Sequence, residues 1–194
     1  MYFCRQIITQ LKYKMSTKTQ AVELDKVVIK FAGDSGDGMQ LTGTQFTDTS
    51  ALLGNDLATF PDFPAEIRAP QGTVPGVSGF QVHIGNTEIN TPGDIADVLV
   101  AMNPAALKAN KNSIKKGGTI IVNIDSFEKR DLEKAGYETS PLEDSSFEGF
   151  NIIESPITSL TRESLKDSGL DGKSVGRSKN MFALGIVYWL FNRP

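Results

Sequence analysis

The run Phe31-Ala32-Gly33-Asp34-Ser35-Gly36-Asp37-Gly38 constrains this chain more than any other stretch. It follows an apolar strand pattern, Val27-Val28-Ile29, and leads into a helix-forming segment over 39–53. Glycine carries no Cβ, so three glycines within six residues let the backbone bend sharply and approach a ligand or partner closely. The N–H groups at the start of the following helix have no intrahelical acceptor and carry positive partial charge, which suits an anion. Gly33, Asp34, Ser35, Gly36, Asp37 and Gly38 are therefore candidate site residues.

Downstream, apolar runs alternate with helical patterns, the signature of an α/β fold: a Rossmann-like sheet, mostly parallel, with helices on both faces. Strands are expected over 27–32, 57–60, 78–84, 97–102, 119–124 and 152–154. In the third, Phe80, Val82 and Ile84 share one face while Gln81 and His83 share the other. Thr119-Ile120-Ile121-Val122 is apolar or β-branched throughout, as expected of a strand covered on both sides. Asn103-Pro104 reads as an N-cap and first helical residue, opening a helix to about 112, after which Gly117-Gly118 starts the next strand. A short charged helix over 128–135 closes at Gly136, and the polar, acidic stretch 137–150 reads as a surface loop.

The 194 residues fit one domain, with a core that needs no disulfides. A net charge of −3 makes no electrostatic case for nucleic acid. The longest greasy stretch, 181–191, is too short to span a membrane and reads as a buried helix. The single cysteine, Cys4, excludes an internal disulfide and any thiolate-built cluster from this chain alone. Residues 1–21 read as a disordered or misannotated extension, since Met15-Ser16-Thr17 resembles a natural start; 22–194 form the domain.

Between Pro61 and Gly76 lie four prolines with Glu66, Arg68 and Gln71. Prolines lower the entropy of the free chain, so so long a connection can hold a defined shape, either as a functional arm or as an edge segment covering the sheet. Arg68 is its natural anion ligand, unless it pairs with Glu66.

Taken alone, the bend admits two familiar chemistries, and both fit poorly. A dinucleotide fold needs Gly-x-Gly-x-x-Gly, whereas the spacing here is Gly-x-x-Gly-x-Gly. Asp62 falls where an acidic ribose partner belongs, but Asp34 and Asp37 set two negative charges beside the pyrophosphate, unless one of them caps the helix. A serine hydrolase built on Ser35 needs a histidine base oriented by a carboxylate. The only histidine, His83, lies in mid-strand with Phe80 three residues before it.

The bend, Pro61-Asp62-Phe63-Pro64-Ala65-Glu66-Ile67-Arg68-Ala69-Pro70-Gln71-Gly72-Thr73, Gly76-Val77-Ser78-Gly79-Phe80-Gln81 and Arg177-Ser178-Lys179-Asn180-Met181-Phe182-Ala183-Leu184-Gly185 together resemble the 2-oxoacid:ferredoxin oxidoreductases. More narrowly they resemble the N-terminal gamma domain of the alpha subunit of the 2-oxoglutarate type. The resemblance implies CoA-dependent oxidative decarboxylation of a 2-oxoacid to acyl-CoA and CO2, with electrons passed to ferredoxin, in a cytoplasmic enzyme. It implies coenzyme A as co-substrate, with thiamine diphosphate, Mg2+ and [4Fe-4S] clusters in the complete complex but not on this chain alone. Its partners would be the beta subunit and the remaining alpha-subunit domain, without nucleic acid or membrane, and no catalytic residue is expected here. Gly33 to Gly38, Arg68 and Asn180 become the coenzyme A candidates, with Ser35 and the N–H groups of Asp37 and Gly38 as donors. Pyruvate-type members have a turn richer in glycine, with glutamine where aspartate stands here, which leaves docking to a neighbouring domain as the alternative role. Lys179 and Asn180 either cap the final helix or meet a phosphate.

Overall fold

The computed structural model describes residues 24–66 and 68–193, so the expectation for 1–21 lies outside the described residues. Six strands form one sheet: β1 (Lys26–Asp34), β2 (Asp56–Asp62), β3 (Val77–Gly85), β4 (Ala96–Ala101), β5 (Ile114–Asn123) and β6 (Asn151–Ser155), in the order β2-β3-β1-β4-β5-β6. All six coincide with the apolar runs of the sequence. β1, β4, β5 and β6 are parallel, and β3 alone runs antiparallel to both of its neighbours. By reversing, β3 returns the chain to the amino edge without a crossover helix, and 86–95 then fold over the sheet before β4. Gln81 Nε2 donates to Pro92 O at 3.0 Å and also to Gly93 O, pinning that segment down.

Helices α1 (Met39–Leu52), α2 (Pro104–Asn110), α3 (Lys129–Lys134), α4 (Ile157–Ser164), α5 (Gly172–Arg177) and α6 (Lys179–Leu190) pack around the sheet. One face buries Ile29 and Phe31 of β1 and Val82 of β3 beneath Phe46 of α1, Ile157 of α4 and Val187 of α6. The other buries Ala32, Leu99, Ile120 and Val122 beneath Ala106 and Leu107 of α2. β1 is thus covered on both sides, which is why its sequence is almost continuously apolar. The exception is Lys30, buried at 9% exposure, whose Nζ lies 3.1 Å from Asp62 Oδ2 on β2. The pair spans β3 where Gly79 leaves room for the lysine stem.

Three expectations need correction. β5 begins at Ile114 rather than after Gly117-Gly118: a register shift between Ala96 and Val98 of its partner absorbs the glycines, with Gly117 at φ 77°. The stretch 137–150 is not merely a surface loop, because Leu142, Phe147 and Phe150 pack onto the second core. Three apolar side chains in an otherwise polar segment help seal that part of the core. Third, α4 and α5 had no counterpart in the sequence reading, although Asp171 caps α5 by accepting from Lys173 N and Ser174 N.

Gly43 marks the closest approach of α1 to the sheet, where a Cβ would overlap the Phe80 ring of β3. Gly43→Ala must push α1 off β3. We expect it to lower the stability of the purified chain by about 1–3 kcal/mol, read by chemical denaturation; an unchanged midpoint would show that the ring swings clear.

Candidate functional site

The connections that leave β1 and β4 depart to opposite faces, α1 onto one and α2 onto the other. Adjacent parallel strands whose crossovers diverge leave a crevice at their carboxyl ends, where ligands of open α/β sheets bind. A cavity of about 130 Å³ lies there, lined by Asp34, Asp37, Gln71, Gly72, Met102, Asn103, Ser126, Asp131, Lys134 and Lys179.

The glycine bend forms one wall, and its shape is held by its own aspartates. Asp37 N donates to Asp34 O at 2.9 Å, and Asp34 N donates to Asp37 Oδ2 at 3.0 Å. Asp37 Oδ1 lies 2.7 Å from Lys179 Nζ at the start of α6. Neither aspartate caps α1, contrary to that sequence option: the cap residue is Gly38 at φ 75°, with no side-chain cap bond. A β-carbon at Gly38 would stand 2.5 Å from Asn180 Nδ2, so only glycine fits both the backbone angle and the space. Asn180 is buried, accepts from its own neighbour Met181 N at 2.8 Å and donates to Gly38 O at 3.4 Å. Its amide supports the bend from beneath.

The arm crosses the bend rather than wandering along an edge. Gly72 N donates to the Asp34 carboxylate at 3.0 and 3.1 Å, and Gln71 Nε2 is the nearest group to Gly36. Gln40 Nε2 donates to Gly79 O at 2.7 Å and reaches Asp62 O at 3.3 Å, which ties α1 to the root of the arm. Arg68 is exposed and makes no ion pair among the described residues, so the pairing with Glu66 is not formed.

One of the expected donors is not free. The Asp37 N–H is spent on Asp34 O, whereas Ser35 and Gly36 at the tip are exposed, and the first intrahelical bond of α1 begins only at Thr42 N. Asp62 is spent on Lys30, which removes the ribose-partner option. His83 pairs with Val28, seven residues and roughly 20 Å of strand from Ser35, and its Nδ1 meets Thr91 O at 2.7 Å. No triad can form. Lys134, Asp131, Asn103 and Ser126 were missed as cavity residues: Asn103 and Ser126 follow the carboxyl ends of β4 and β5, Asp131 and Lys134 lie on α3 beyond β5, and only the sheet order brings them to the crevice. Among the described residues, no group of three or more His, Cys, Asp and Glu is placed to hold a metal ion.

Burial pushes the Asp34 carboxyl above its ordinary value, and the charge of Asp37 adds to that; the Gly72 N–H, Asn103 and Lys179 pull the other way.

Fold and crevice define an open α/β unit with an anion-compatible bend at its switch point. The chain belongs to the pyruvate ferredoxin/flavodoxin oxidoreductase family, whose model matches residues 28–193. It is 55% identical over 170 residues to the 2-oxoglutarate oxidoreductase subunit KorA of Mycobacterium tuberculosis, covering 88% of this chain and 26% of that protein. It resembles the 2-oxoglutarate:ferredoxin oxidoreductase of Magnetococcus marinus, solved with 2-oxoglutarate, coenzyme A and succinyl-CoA bound. There the TM-score is 0.66 at 29% identity, over 88% of this chain and 25% of the other. The gamma subunit of a keto/oxoacid ferredoxin oxidoreductase from Geobacter sulfurreducens shares the fold, with a TM-score of 0.54 at 15% identity, over 88% of this chain and all of that one. The chain thus spans about a quarter of the length of the first two relatives.

Asp34→Asn keeps an oxygen for Gly72 N–H and removes the half-buried charge. A carboxyl raised in the fold contributes most below its unfolded value of 3.8 and loses that contribution as pH rises through the folded value. We therefore expect Asp34→Asn to melt higher than the parent chain at pH 7, the gap closing as pH falls toward 4. A lower melting temperature at pH 7 would mean that the ionised carboxylate is what holds the arm.

Proposed function

We propose that this chain is the gamma-domain portion of the alpha subunit of a cytoplasmic 2-oxoacid:ferredoxin oxidoreductase acting on 2-oxoglutarate, and that its bend helps hold coenzyme A. The complete enzyme would convert 2-oxoglutarate, coenzyme A and oxidised ferredoxin to succinyl-CoA, CO2 and reduced ferredoxin. Thiamine diphosphate with Mg2+, and [4Fe-4S] clusters, would supply the carbanion and electron-transfer chemistry from the other alpha-subunit domain and partner subunits. No nucleic acid or membrane partner is proposed; among the described residues, no helix is long and apolar enough to cross a membrane.

One observation carries the coenzyme A role: the bend is open at Ser35 and Gly36, at the switch point of a chain similar to an enzyme solved with coenzyme A bound. The residues suit such a ligand. The Ser35 hydroxyl, the first-turn N–H groups of α1 and the exposed Arg68 are all donors, and helix N-termini favour phosphate. Asp34 and Asp37, engaged with backbone N–H groups and with Lys179, shape the bend rather than meeting phosphate.

A second reading, a docking module with no ligand of its own, is favoured by apolar side chains at the carboxyl edge. Leu41 in the first turn of α1, Phe63 at the root of the arm and Met181 in the first turn of α6 are 53, 69 and 38% exposed. Exposed apolar area of this kind suits a neighbouring protein surface.

Gly36 discriminates the two readings, because a β-carbon there has only Gln71 Nε2 within 4 Å, at 3.7 Å, in ordinary contact. In the complete enzyme we expect Gly36→Val to raise the Michaelis constant for coenzyme A about tenfold, ~1.4 kcal/mol, while that for 2-oxoglutarate stays within about twofold. Equal rises in both, with no change in the heat of coenzyme A binding, would favour docking. The chain by itself should not reduce a viologen dye with 2-oxoglutarate and coenzyme A; measurable turnover would overturn the assignment of the chemistry to other domains.

A further inference from the structure

Lys179 and Asp37 form the tightest ion pair at the crevice, and both are largely withdrawn from water, at 22 and 11% side-chain exposure. Both carboxylate oxygens of Asp37 are occupied, Oδ1 by Lys179 Nζ at 2.7 Å and Oδ2 by Asp34 N at 3.0 Å. Lys134, the other cation of the cavity, stands 3.7 Å from Asp131 and pairs loosely. The bend therefore carries two carboxylates, one neutralised by a lysine and one satisfied by the Gly72 N–H.

We propose that Lys179 is a positioning residue which, acting through Asp37, makes the bend acceptable to an anionic ligand. It cancels one of two negative charges and holds that carboxylate folded against the Asp34 N–H. Without it, Asp37 stays as a bare charge close under the bend or swings out over it. Either outcome repels a phosphate, because an uncompensated like charge in a half-dry site is poorly screened. The lysine's own charge is spent on Asp37, so it acts on the ligand through the aspartate. This rests on the reading that coenzyme A meets the bend.

The test uses the complete enzyme with three variants, and measures the dissociation constant for coenzyme A by calorimetry beside both Michaelis constants. Lys179→Met should weaken coenzyme A binding at least about tenfold and leave the constant for 2-oxoglutarate within about twofold, and the loss should shrink as salt is added, because ions screen the repulsion from Asp37. Adding Asp37→Asn should bring coenzyme A binding back to within about threefold of the parent, since the amide still accepts from Asp34 N and carries no charge. A double variant as impaired as the single would overturn the proposal, leaving Lys179 a direct contact or a purely structural one. If Gly36→Val weakens coenzyme A binding and Lys179→Met does not, the charge argument fails while the bend remains the site. If neither does, the coenzyme A reading itself falls, and this inference with it. Should Lys179→Met not assemble, the double variant decides: assembly with near-parent binding supports the proposal, and failure of both overturns it.

Discussion

Asp37 is the closure on which the carboxyl edge of this sheet depends. A carboxylate withdrawn from water is tolerable only when its oxygens are matched, because desolvation otherwise outweighs what it gains. Here one oxygen ties the bend to its own backbone and the other ties it to α6, so the turn and the last helix share one ion pair. Gly33 lies beneath, with room for no side chain: a β-carbon would come within 2.8 Å of Asp37 Oδ2. Asn180 repeats the link one residue further on by donating to Gly38 O, 142 residues away in sequence. The bend has its shape because the end of the chain returns to hold it.

Asp34 performs a second, weaker closure. It takes the Gly72 N–H and so draws the proline-rich arm across the crevice, at the cost of a half-buried negative charge. Two carboxylates beside an anion-compatible bend look contradictory while they are read as free charges. Lys179 cancels the charge of Asp37, while Asp34 keeps its charge and turns it to the Gly72 N–H. What remains open toward solvent is the neutral tip, Ser35 and Gly36, with Arg68 on the arm exposed and without an ion pair among the described residues. The same fold occurs as an entire chain in one solved structure and within a much longer chain in another. Leu41, Phe63 and Met181 are exposed at the same edge.

Much of this was legible before any coordinates. Apolar runs of three to seven residues located every strand, most clearly in the central β1, β4 and β5, where burial on both faces leaves little polar alternation. Asn103-Pro104 located α2, and the structure shows the expected cap, Asn103 Oδ1 accepting from Ala106 N at 2.8 Å. What misled was segments whose average composition hides their few buried residues. Phe147 and Phe150 sit among acids and serines, and a window average calls them surface. α4 and α5 escaped because, at eight and six residues, they span too few turns for a repeat to show; in α4 only Ile157 and Thr161 are buried.

By itself, the order of residues determined an alternating α/β chain, a side-chain-poor bend after its first strand, a stiff arm carrying Arg68 and an apolar last helix. These are local properties: backbone freedom, proline stiffness and hydrophobic period act within a few residues. Tertiary structure alone decided that β3 runs backward, that β1 and β4 flank the crevice, that Asp37 belongs to Lys179 and Asp34 to Gly72, and that Asp62 is spent on Lys30. Such pairings depend on which strands become neighbours. A charge acquires its meaning from the partner that the topology brings within 3 Å or so, and no local pattern encodes that partner.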